Sequence, residues 1–456
     1  MRQPTVALRE NRTHYLRPDG TSGSFHVRLS STSQDSKESK MRNGLLARVV
    51  SIAGAGCAAF AGPAAFAAAN DGLTLAEGFS AVVVHEGQGT ARHLDVAANG
   101  DIYVAGRNGL TALRDSNADG KADVVTPFGD VKGTGIRLFR NWVYVSDDVG
   151  VYRYALKKGQ LAPAGPRETV VSEFPKERQH SDKTFALDGK GTLYVNVGAP
   201  SNSCQEKDRQ EGSLGLNPCP ILEKYGGVWV FDGTKLNQTP ANGRRFATGM
   251  RNAVAIEWNA AQNALFSAIH GRDSIDTLFP ALYNAQDNAT RQAEEFHQIV
   301  DGGDYGWPYT FFDTRLGQRV LAPEYGGDAK KTPEAGKYPD PLVAFPAHWA
   351  PNDLKFYSGR SFPARYKGGA FIAFHGSWNR APEPQAGYKV VFQPMKDGKP
   401  NGAYEVFADG FAGDMKDNSP RNAQYRPVGL AVAPDGSLLV SDSQKGRIWR
   451  ISYGGK

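Results

Sequence analysis

Four histidines stand at the ends of predicted β-strands, in loops rich in Gly, Pro and charged residues. The chain has nine histidines, and only seven of them follow residue 67. An imidazole with a pKa near about 6.5 can accept a proton, bind a metal or hydrogen-bond a ligand, and the spacing leaves these roles open. One such histidine is usually structural, but four in successive loops predict a shared site. They are His180, His270, His348 and His375.

Arginines accompany these histidines. Arg251-Asn252, Arg272, Arg380 and Arg426 each stand beside the start or the end of a predicted strand. Taken singly, each is most often a surface ion pair of small energetic value. Together they predict a cavity for several carboxylates, because a guanidinium binds planar oxyanions through two parallel hydrogen bonds. With two tryptophans nearby, the pattern indicates a flat, conjugated polyanion as the ligand.

A separate loop has the start of a calcium-binding pattern. Asp115, Asn117, Asp119 and Asp123 offer oxygen ligands at positions 1, 3, 5 and 9, and Gly120 stands at position 6. That spacing is typical of the EF-hand loop, although its glutamate at position 12 is replaced by Thr here and no flanking helix is evident. The loop therefore predicts a structural calcium site, with a polar turn as the alternative.

The elements that position these loops are six repeated strand–turn–strand units. In the last unit, alternating apolar runs flank Asp435-Gly436, which is a strong hairpin signal because the turn needs a positive φ. Repeated four-stranded units of this length are typical of a β-propeller. We therefore predict an all-β fold, a six-bladed β-propeller with inserted loops. The units are His93–Leu113, Ile136–Tyr154, Thr184–Phe231, Ala253–His270, Asp353–Phe392 and Pro427–Ile451.

The N-terminal residues predict export. Arg42 and Arg48 precede an apolar stretch, Val49–Phe66, that ends in a small-x-small cleavage pattern. We expect a signal peptide at 41–67, a non-native N-terminal extension at 1–40 and the propeller domain at 68–456. This organisation predicts a periplasmic or secreted protein without stable membrane insertion.

Composition argues against nucleic acid as a partner. The net charge is +6, but nine of the 53 Lys and Arg residues and four of the 47 Asp and Glu residues precede residue 68. The remainder of the chain is therefore nearly neutral, and no basic face for nucleic acid is expected.

Two cysteines, Cys204 and Cys219, flank a polar loop. In an exported protein we expect them to pair, which would stabilise the fold by about 3 kcal/mol for a loop of this length.

Several motifs resemble the glucose/sorbosone dehydrogenase family, and the sorbosone-dehydrogenase-like branch most closely. They are Gly249-Met250-Arg251-Asn252, the turn Asp301–Pro308, the string Ala373–Arg380 and the closing unit. The resemblance spans about Leu73 to Tyr453. It implies a six-bladed propeller that uses pyrroloquinoline quinone (PQQ) and calcium to oxidise a sugar at C1, with hydride moving to C5 of the quinone.

The resemblance also implies roles for individual residues. His180 falls where the family has its general base, and Arg251 and Asn252 match a pair beside the quinone oxygens. Backbone carbonyls at Gly271 and Arg272 would hold calcium. The remaining cofactor contacts implied are His348, Trp349, Arg380 and Arg426. Relatives have Gly-Pro in the calcium loop, where this chain has Gly271-Arg272, and Gln424 replaces a second arginine.

Other functions stay open at this point. A calcium-dependent, lactonase-like propeller hydrolase needs carboxylates near the axis, and Asp182, Asp273 and Glu295 keep that alternative available. A non-catalytic propeller would bind glycans or proteins, and a degenerate relative would keep the fold without the cofactor. For the dehydrogenase, we expect a small sugar substrate and an electron acceptor such as a periplasmic cytochrome or a quinone.

Overall fold

The computed structural model describes residues 70–87, 89–415 and 419–455. These residues form six antiparallel blades around one axis, which confirms the predicted six-bladed β-propeller. The predicted N-terminal extension, signal peptide and cleavage point lie outside the described residues. Within the described part of the chain, no helix is both long enough and apolar enough to span a bilayer.

Each blade contains four strands that run outward from the axis in chain order, and the last blade takes its outer strand from the N-terminal end. Blade one contains β3 (Ala91–Val96), β4 (Ile102–Gly106), β5 (Gly109–Arg114) and β6 (Val124–Phe128). Blade two contains β7 (Ile136–Phe139), β8 (Trp142–Ser146), β9 (Val151–Ala155) and β10 (Glu168–Val171). Blade three contains β11 (Phe185–Leu187), β12 (Thr192–Val197), β13 (Gly227–Asp232) and β14 (Arg244–Thr248), with β18 (Gly303–Asp304) added at its edge.

Blade four contains β15 (Ala255–Asn259), β16 (Ala264–Ile269), β17 (Glu294–Ile299) and β21 (Val343–Phe345). Blade five contains β22 (Pro351–Phe356), β23 (Ala370–Phe374), β24 (Lys389–Gln393) and β27 (Glu405–Asp409), with β1 (Thr74–Leu75) at its edge. Blade six contains β28 (Pro427–Val432), β29 (Leu438–Asp442), β30 (Ile448–Tyr453) and β2 (Phe79–His85). Two small hairpins pair β19 (Thr310–Asp313) with β20 (Gln318–Leu321), and β25 (Met395–Lys396) with β26 (Lys399–Pro400).

The described helices are short. They are α1 (Ile275–Leu278), α2 (Ala285–Thr290) and the 3₁₀ turns Pro220–Glu223, Pro240–Asn242, Pro323–Tyr325, Ala364–Tyr366 and Pro420–Asn422.

The ring is closed by strands from both ends of the described chain. β2 pairs antiparallel with β30 and completes blade six, while β1 pairs with β27 of blade five. Aromatic side chains fill the space between these two blades. Phe79 of β2 packs edge-to-face on Phe362, Tyr366 and Phe407, with ring centroids 4.7, 5.3 and 4.8 Å away. Burying a ring of this size stabilises the fold by about 1.5–3 kcal/mol, so the closure is firm.

Long insertions in blades three and four carry much of the site. The segment 198–226 joins β12 to β13 and contains the disulfide Cys204–Cys219, which confirms the predicted pairing. The segment 270–293 joins β16 to β17 and contains both α-helices. The segment 300–342 joins β17 to β21 and packs on these insertions through Glu324.

Candidate active site

Loops at one end of the propeller build a cavity near the axis. The innermost strands β3, β7, β11, β15, β22 and β28 contact one another in turn around the axis. In each blade, one segment leads into the innermost strand and one turn joins the second strand to the third. Both lie at the same end of the propeller, because neighbouring strands are antiparallel. The cavity there has a volume of about 240 Å³. It is lined by Gln179, His180, Arg209, Arg251, His270, Gly271, Asp273, Glu294, His348, Ala350, Ser377, Trp378 and Asn379.

His180 is held in one tautomer at this cavity. Its Nδ1–H donates to the Ala199 carbonyl at 2.5 Å, which leaves Nε2 without a proton. Gly198 permits this approach, because a Cβ there would meet the His180 Cβ at 2.6 Å. Burial, followed by the Arg251 guanidinium, lowers the pKa of His180 to about 3. The ring is therefore neutral at physiological pH and can accept a proton, although it is a weaker base than the sequence suggests.

Arg251 forms a buried ion pair with Asp273. Its guanidinium donates to the Asp273 carboxylate at 2.6 Å, to the Gly271 carbonyl at 2.7 Å and to the Asn202 carbonyl at 3.2 Å. Arg209, at the cavity wall, donates to the same carboxylate at 2.9 Å. Burial raises the pKa of Asp273, but Arg251, His348 and Arg209 outweigh it and hold that pKa well below its usual range. Asp273 is thus a permanent anion that balances Arg251.

Asn202, a residue that sequence reasoning missed, fixes both members of this pair. Its side chain accepts from the Asp273 N–H and donates to the Asp273 carbonyl, each at 2.9 Å. Its carbonyl accepts from Arg251 and, at 2.9 Å, from the indole N–H of Trp307. Asn202 is completely buried, and it lies two residues before the first cysteine of the disulfide. Asn202 therefore helps to fix the position of Arg251, and the disulfide anchors the chain two residues after Asn202.

Asn252 and His270 form a second buried unit. The amide of Asn252 donates to Nδ1 of His270 at 3.3 Å, while Nε2–H of His270 donates to the Pro351 carbonyl at 2.7 Å. Burial lowers the pKa of His270 to about 4, so it too is neutral. Asn252 also accepts from the Asn196 amide at 3.3 Å. This chain of bonds fixes the orientation of the predicted Arg251-Asn252 pair.

Of the neighbouring residues His348 and Trp349, only the histidine lines the cavity. The Nε2–H of His348 donates to the Asn288 carbonyl at 2.8 Å, and its Nδ1 lies 3.8 Å from the Asp273 carboxylate. The ring of Trp349 packs edge-to-face on Phe374 at 5.2 Å, within the hydrophobic core. His348 and Ala350 both have positive φ, and this local backbone turns the two adjacent side chains in different directions.

Glu294 is a buried carboxyl group that the sequence did not single out. Its two oxygens accept from the Gly271 N–H at 2.9 Å and from the Ala350 N–H at 3.0 Å. No described cation lies within ion-pair distance of it. Burial raises the pKa of Glu294 to about 7. The carboxyl group therefore connects two loops of the site, and it lines the cavity beside the predicted calcium loop.

The side chain of Arg272 points away from the cavity into a buried ion pair. It donates to both oxygens of Glu324 at 2.6 and 2.7 Å, and both side chains are nearly inaccessible. Gly271 does line the cavity, where its carbonyl also accepts from Arg251. Among the residues that the structure describes, no group of three or more His, Cys, Asp or Glu side chains is arranged to hold a metal.

Arg426 lies in a second polar region at the same end of the propeller. Its guanidinium donates to the carbonyls of His375 at 3.1 Å and Gly376 at 2.5 Å, and no described carboxylate lies within 4 Å of it. Burial lowers its pKa to about 10, so it stays protonated. The hydroxyl of Tyr388, whose ring lies beneath Arg426, has no hydrogen-bond partner among the residues that the structure describes.

Arg92, also missed from sequence, belongs to the same region. It pairs with Asp182 at 3.1 Å, and Arg107 pairs with the same carboxylate, while the Arg92 Nε has no hydrogen-bond partner. Arg92 is the second residue of β3, the innermost strand of blade one, and Arg426 directly precedes β28, so both lie at the start of an innermost strand. This shared position is the signal that could have identified Arg92. Burial, with Arg426 and Arg92 next, lowers the pKa of His375 well below its ordinary value.

Arg380 and the Asp115 loop lie apart from the lining residues. Arg380 donates to the backbone carbonyls of Ala289, Ala347 (3.3 Å) and Pro384 (2.8 Å), and it braces α2 against its own loop. The loop of Asp115, Asn117, Asp119 and Asp123 joins the third strand of blade one to the fourth. The cavity, in contrast, is built by loops that enter the innermost strands and by turns that join second strands to third strands. Its carboxylates accept from N–H groups of the loop itself, as a polar turn requires.

Comparison with known proteins gives consistent findings. The sequence model described as TrAA12-like matches residues 73–454. An uncharacterized protein of Borreliella burgdorferi is 30% identical over 335 residues, which cover 71% of this chain and 76% of that protein. A pyrroloquinoline quinone-dependent pyranose dehydrogenase of Coprinopsis cinerea is 27% identical over 283 residues, covering 53% of this chain and 36% of the relative. The chain thus spans about a third of that enzyme.

The fold is also similar to a solved structure, the holo form of the pyranose dehydrogenase PQQ domain from Coprinopsis cinerea. The TM-score is 0.65 at 21% sequence identity, and the match covers 83% of this chain and 97% of that domain.

Proposed function

Because the chain belongs to the TrAA12-like family, we propose that it oxidises a pyranose or related aldose at C1, with PQQ and calcium as cofactors. The observation that carries this proposal is His180. Its Nδ1–H is fixed on the Ala199 carbonyl, so its Nε2 is an unprotonated acceptor in a cavity shared with Arg251.

The residues at this end of the propeller fit PQQ, which carries several carboxylates. Arg426 is a protonated guanidinium without a described carboxylate partner. The Tyr388 hydroxyl and the Arg92 Nε nearby also lack hydrogen-bond partners. An anionic ligand would satisfy all three groups. Bound PQQ would supply the two-electron acceptor for a hydride from the sugar.

Calcium would use the cavity-lining oxygens beside Arg251. The Gly271 carbonyl and the Glu294 carboxylate are oxygen donors, the type that calcium prefers. Calcium takes about six to eight oxygen ligands, so the cofactor and water would complete the set. The Arg272 carbonyl belongs to the same loop, while its side chain anchors the loop on Glu324.

In the proposed reaction the C1 hydroxyl gives its proton to Nε2 of His180 as C1 loses a hydride, which yields a lactone. Arg251 would stabilise the negative charge that develops on the hydride acceptor. The ion pair with Asp273 would hold the Arg251 guanidinium in position during the reaction. His348 contributes a hydrogen-bonding group at the cavity, and Asn252 would orient His270 in the cavity lining. Trp349 packs on Phe374 and Arg380 bonds the Pro384 carbonyl, so we assign both side chains to support of the loops and not to contact with the cofactor.

The proposed partners and compartment are those expected from the sequence. We propose a small sugar as substrate and a cytochrome or a quinone as electron acceptor, in the periplasm or outside the cell.

Reconstitution tests the proposal. The purified protein is titrated with PQQ and calcium, absorbance reports cofactor uptake, and dye reduction is measured with a panel of aldoses. We expect stoichiometric uptake and sugar-dependent reduction, and both His180→Ala and His180→Gln should lose reduction while keeping uptake. His93→Gln is the matched control, because His93 is buried away from the cavity lining. Absence of PQQ uptake in the presence of calcium would contradict the proposal and favour lactone hydrolysis.

A further inference from the structure

Trp378 is an exposed indole at the cavity. It is 59% exposed, whereas the other six tryptophans of the chain are buried or half-buried. A single exposed aromatic ring on an open surface is ordinary. Trp378, however, lines a polar cavity, and aromatic side chains in the lining of such cavities commonly contact the ligand. Trp378 lies in the loop after β23, between two further lining residues, Ser377 and Asn379.

The backbone on both sides of Trp378 is anchored. The Asn379 amide donates to the Asp273 carboxylate at 2.5 Å, and the Asn379 carbonyl accepts from Asn288 at 2.7 Å. On the other side, the Gly376 N–H donates to the Trp349 carbonyl at 2.9 Å. The indole is therefore presented by a fixed loop, and a ligand would not have to order that loop on binding.

The groups that share the cavity with Trp378 are planar and polar. Gln179 and Asn379 contribute amides, Arg209 a guanidinium and Asp273 a carboxylate. A pyranose has the complementary surface, with hydroxyls around its edge and C–H groups on its faces. The negatively polarised face of an indole attracts such C–H groups, while the polar side chains can bond the hydroxyls.

We propose that Trp378 is the platform on which the ring of the sugar substrate stacks, and that this contact contributes to substrate binding. This inference rests on the proposed dehydrogenase function. A docking contact for a protein electron acceptor is the other use of an exposed indole, and the experiment separates the two.

The first measurement is sugar binding to the protein without PQQ, followed by tryptophan fluorescence. Glucose and sorbitol are the matched probes, because sorbitol has the same hydroxyl chain but cannot close a ring. We expect glucose, and not sorbitol, to change the emission of the wild type, and Trp378→Phe to lose most of that change. Equal responses to both sugars, or a full response in Trp378→Phe, would overturn the proposal.

The second measurement is steady-state dye reduction by the reconstituted protein. Trp378→Ala should raise the KM for glucose roughly tenfold, in line with a stacking contribution of about 1.4 kcal/mol, and change kcat much less. Trp378→Phe should fall between this variant and the wild type. Leu236→Ala removes an exposed side chain outside the cavity lining and should leave KM unchanged.

The outcomes separate this inference from the proposed function. PQQ uptake by the wild type is scored independently by absorbance, and Trp378→Ala should match it. Normal uptake and turnover with an unchanged KM in Trp378→Ala would overturn the platform and leave the dehydrogenase standing. Slower reduction of a protein acceptor with an unchanged sugar KM would assign Trp378 to docking instead. Absent uptake would overturn the dehydrogenase, and the fluorescence comparison would still decide whether Trp378 binds a ring.

Discussion

Lowering the pH from 7 to about 5 should weaken the fold, because several of its histidines are buried in the neutral form. Burial, the largest cause in each, lowers the pKa of His93 to about 4, of His180 to about 3 and of His270 to about 4. In the unfolded chain each would titrate near about 6.5. The unfolded state therefore binds more protons below that pH, so the stability present above pH 6.5 is lost as the pH falls toward the folded values.

The expected size follows from these shifts. Between pH 7 and pH 5, each of the three histidines lowers the free energy of unfolding by about 2 kcal/mol, which gives about 6 kcal/mol in total. Glu294 has the opposite sign, because burial raises its pKa to about 7. At pH 5 the Glu294 carboxyl binds a proton in the folded protein and releases it in the unfolded chain, which raises the free energy of unfolding by about 2 kcal/mol. These four groups together give a net loss in the free energy of unfolding of about 3–4 kcal/mol. Burial also lowers the pKa of His348 and of His375, so these two histidines add to that loss.

Urea unfolding at pH 7, 6 and 5, followed by tryptophan fluorescence, measures this loss. His93→Gln keeps a donor for the Asn352 carbonyl at 2.7 Å but cannot titrate, so its loss should be smaller than that of the wild type by about 2 kcal/mol. Glu294→Gln should lose more than the wild type by a similar amount. A free energy of unfolding that is flat between pH 7 and 5, or an equal loss in His93→Gln, would refute the reasoning.

Two further predictions concern arginines. Arg426→Gln should weaken PQQ binding about tenfold to a hundredfold, since a hydrogen bond to a charged group contributes about 1.5–3 kcal/mol; an absorbance titration checks this, and an unchanged affinity would contradict the assignment. Arg272→Met should lower the free energy of unfolding by about 3–5 kcal/mol in urea, because it leaves the carboxylate of Glu324 buried without its partner. The double variant Arg272→Met/Glu324→Leu should recover most of that loss, and additive losses would contradict a coupled pair.

The repeat units were predictable because their signals are local. An Asp-Gly turn between alternating apolar runs requires only neighbouring residues, and Gly436 has the positive φ that the turn needs. The closure of the ring was not predictable in this way. β2 completes blade six with a strand more than 350 residues away in sequence, and its own residues carry no turn signal that identifies the partner.

The candidate site was predictable in part. Loops at blade ends brought His180, Arg251, His270 and His348 to one cavity, as their positions beside predicted strands suggested. Sequence could not distinguish the orientation of Trp349, which depends on two residues with positive φ. Sequence also could not predict hydrogen bonds between residues of different insertions. The bonds of Asn202 to Arg251 and Asp273 are the clearest example.

The charges at this end of the propeller divide it into two unlike halves, and that division would orient the proposed polyanionic ligand. Near Arg251, the cations Arg251 and Arg209 meet the anion Asp273 and the carboxyl group of Glu294, so this half is close to neutral. Near Arg426, the cations Arg92 and Arg107 share the carboxylate of Asp182. The Asp442 carboxylate accepts from the Arg426 backbone N–H at 2.6 Å, but no described carboxylate lies within ion-pair distance of the Arg426 guanidinium, so cations outnumber carboxylates in this half.

A polycarboxylate gains most by placing its acid groups in the cationic half, where they remove the cost of unpaired guanidinium groups. Its less charged part then lies toward His180 and Glu294, beside the oxygens proposed for calcium. The same argument explains why His180 is so weak a base in the ligand-free protein. Burial, followed by the Arg251 guanidinium, lowers the pKa of His180, and an anion bound beside that guanidinium would offset the second of these causes and raise the pKa toward the range that proton abstraction needs.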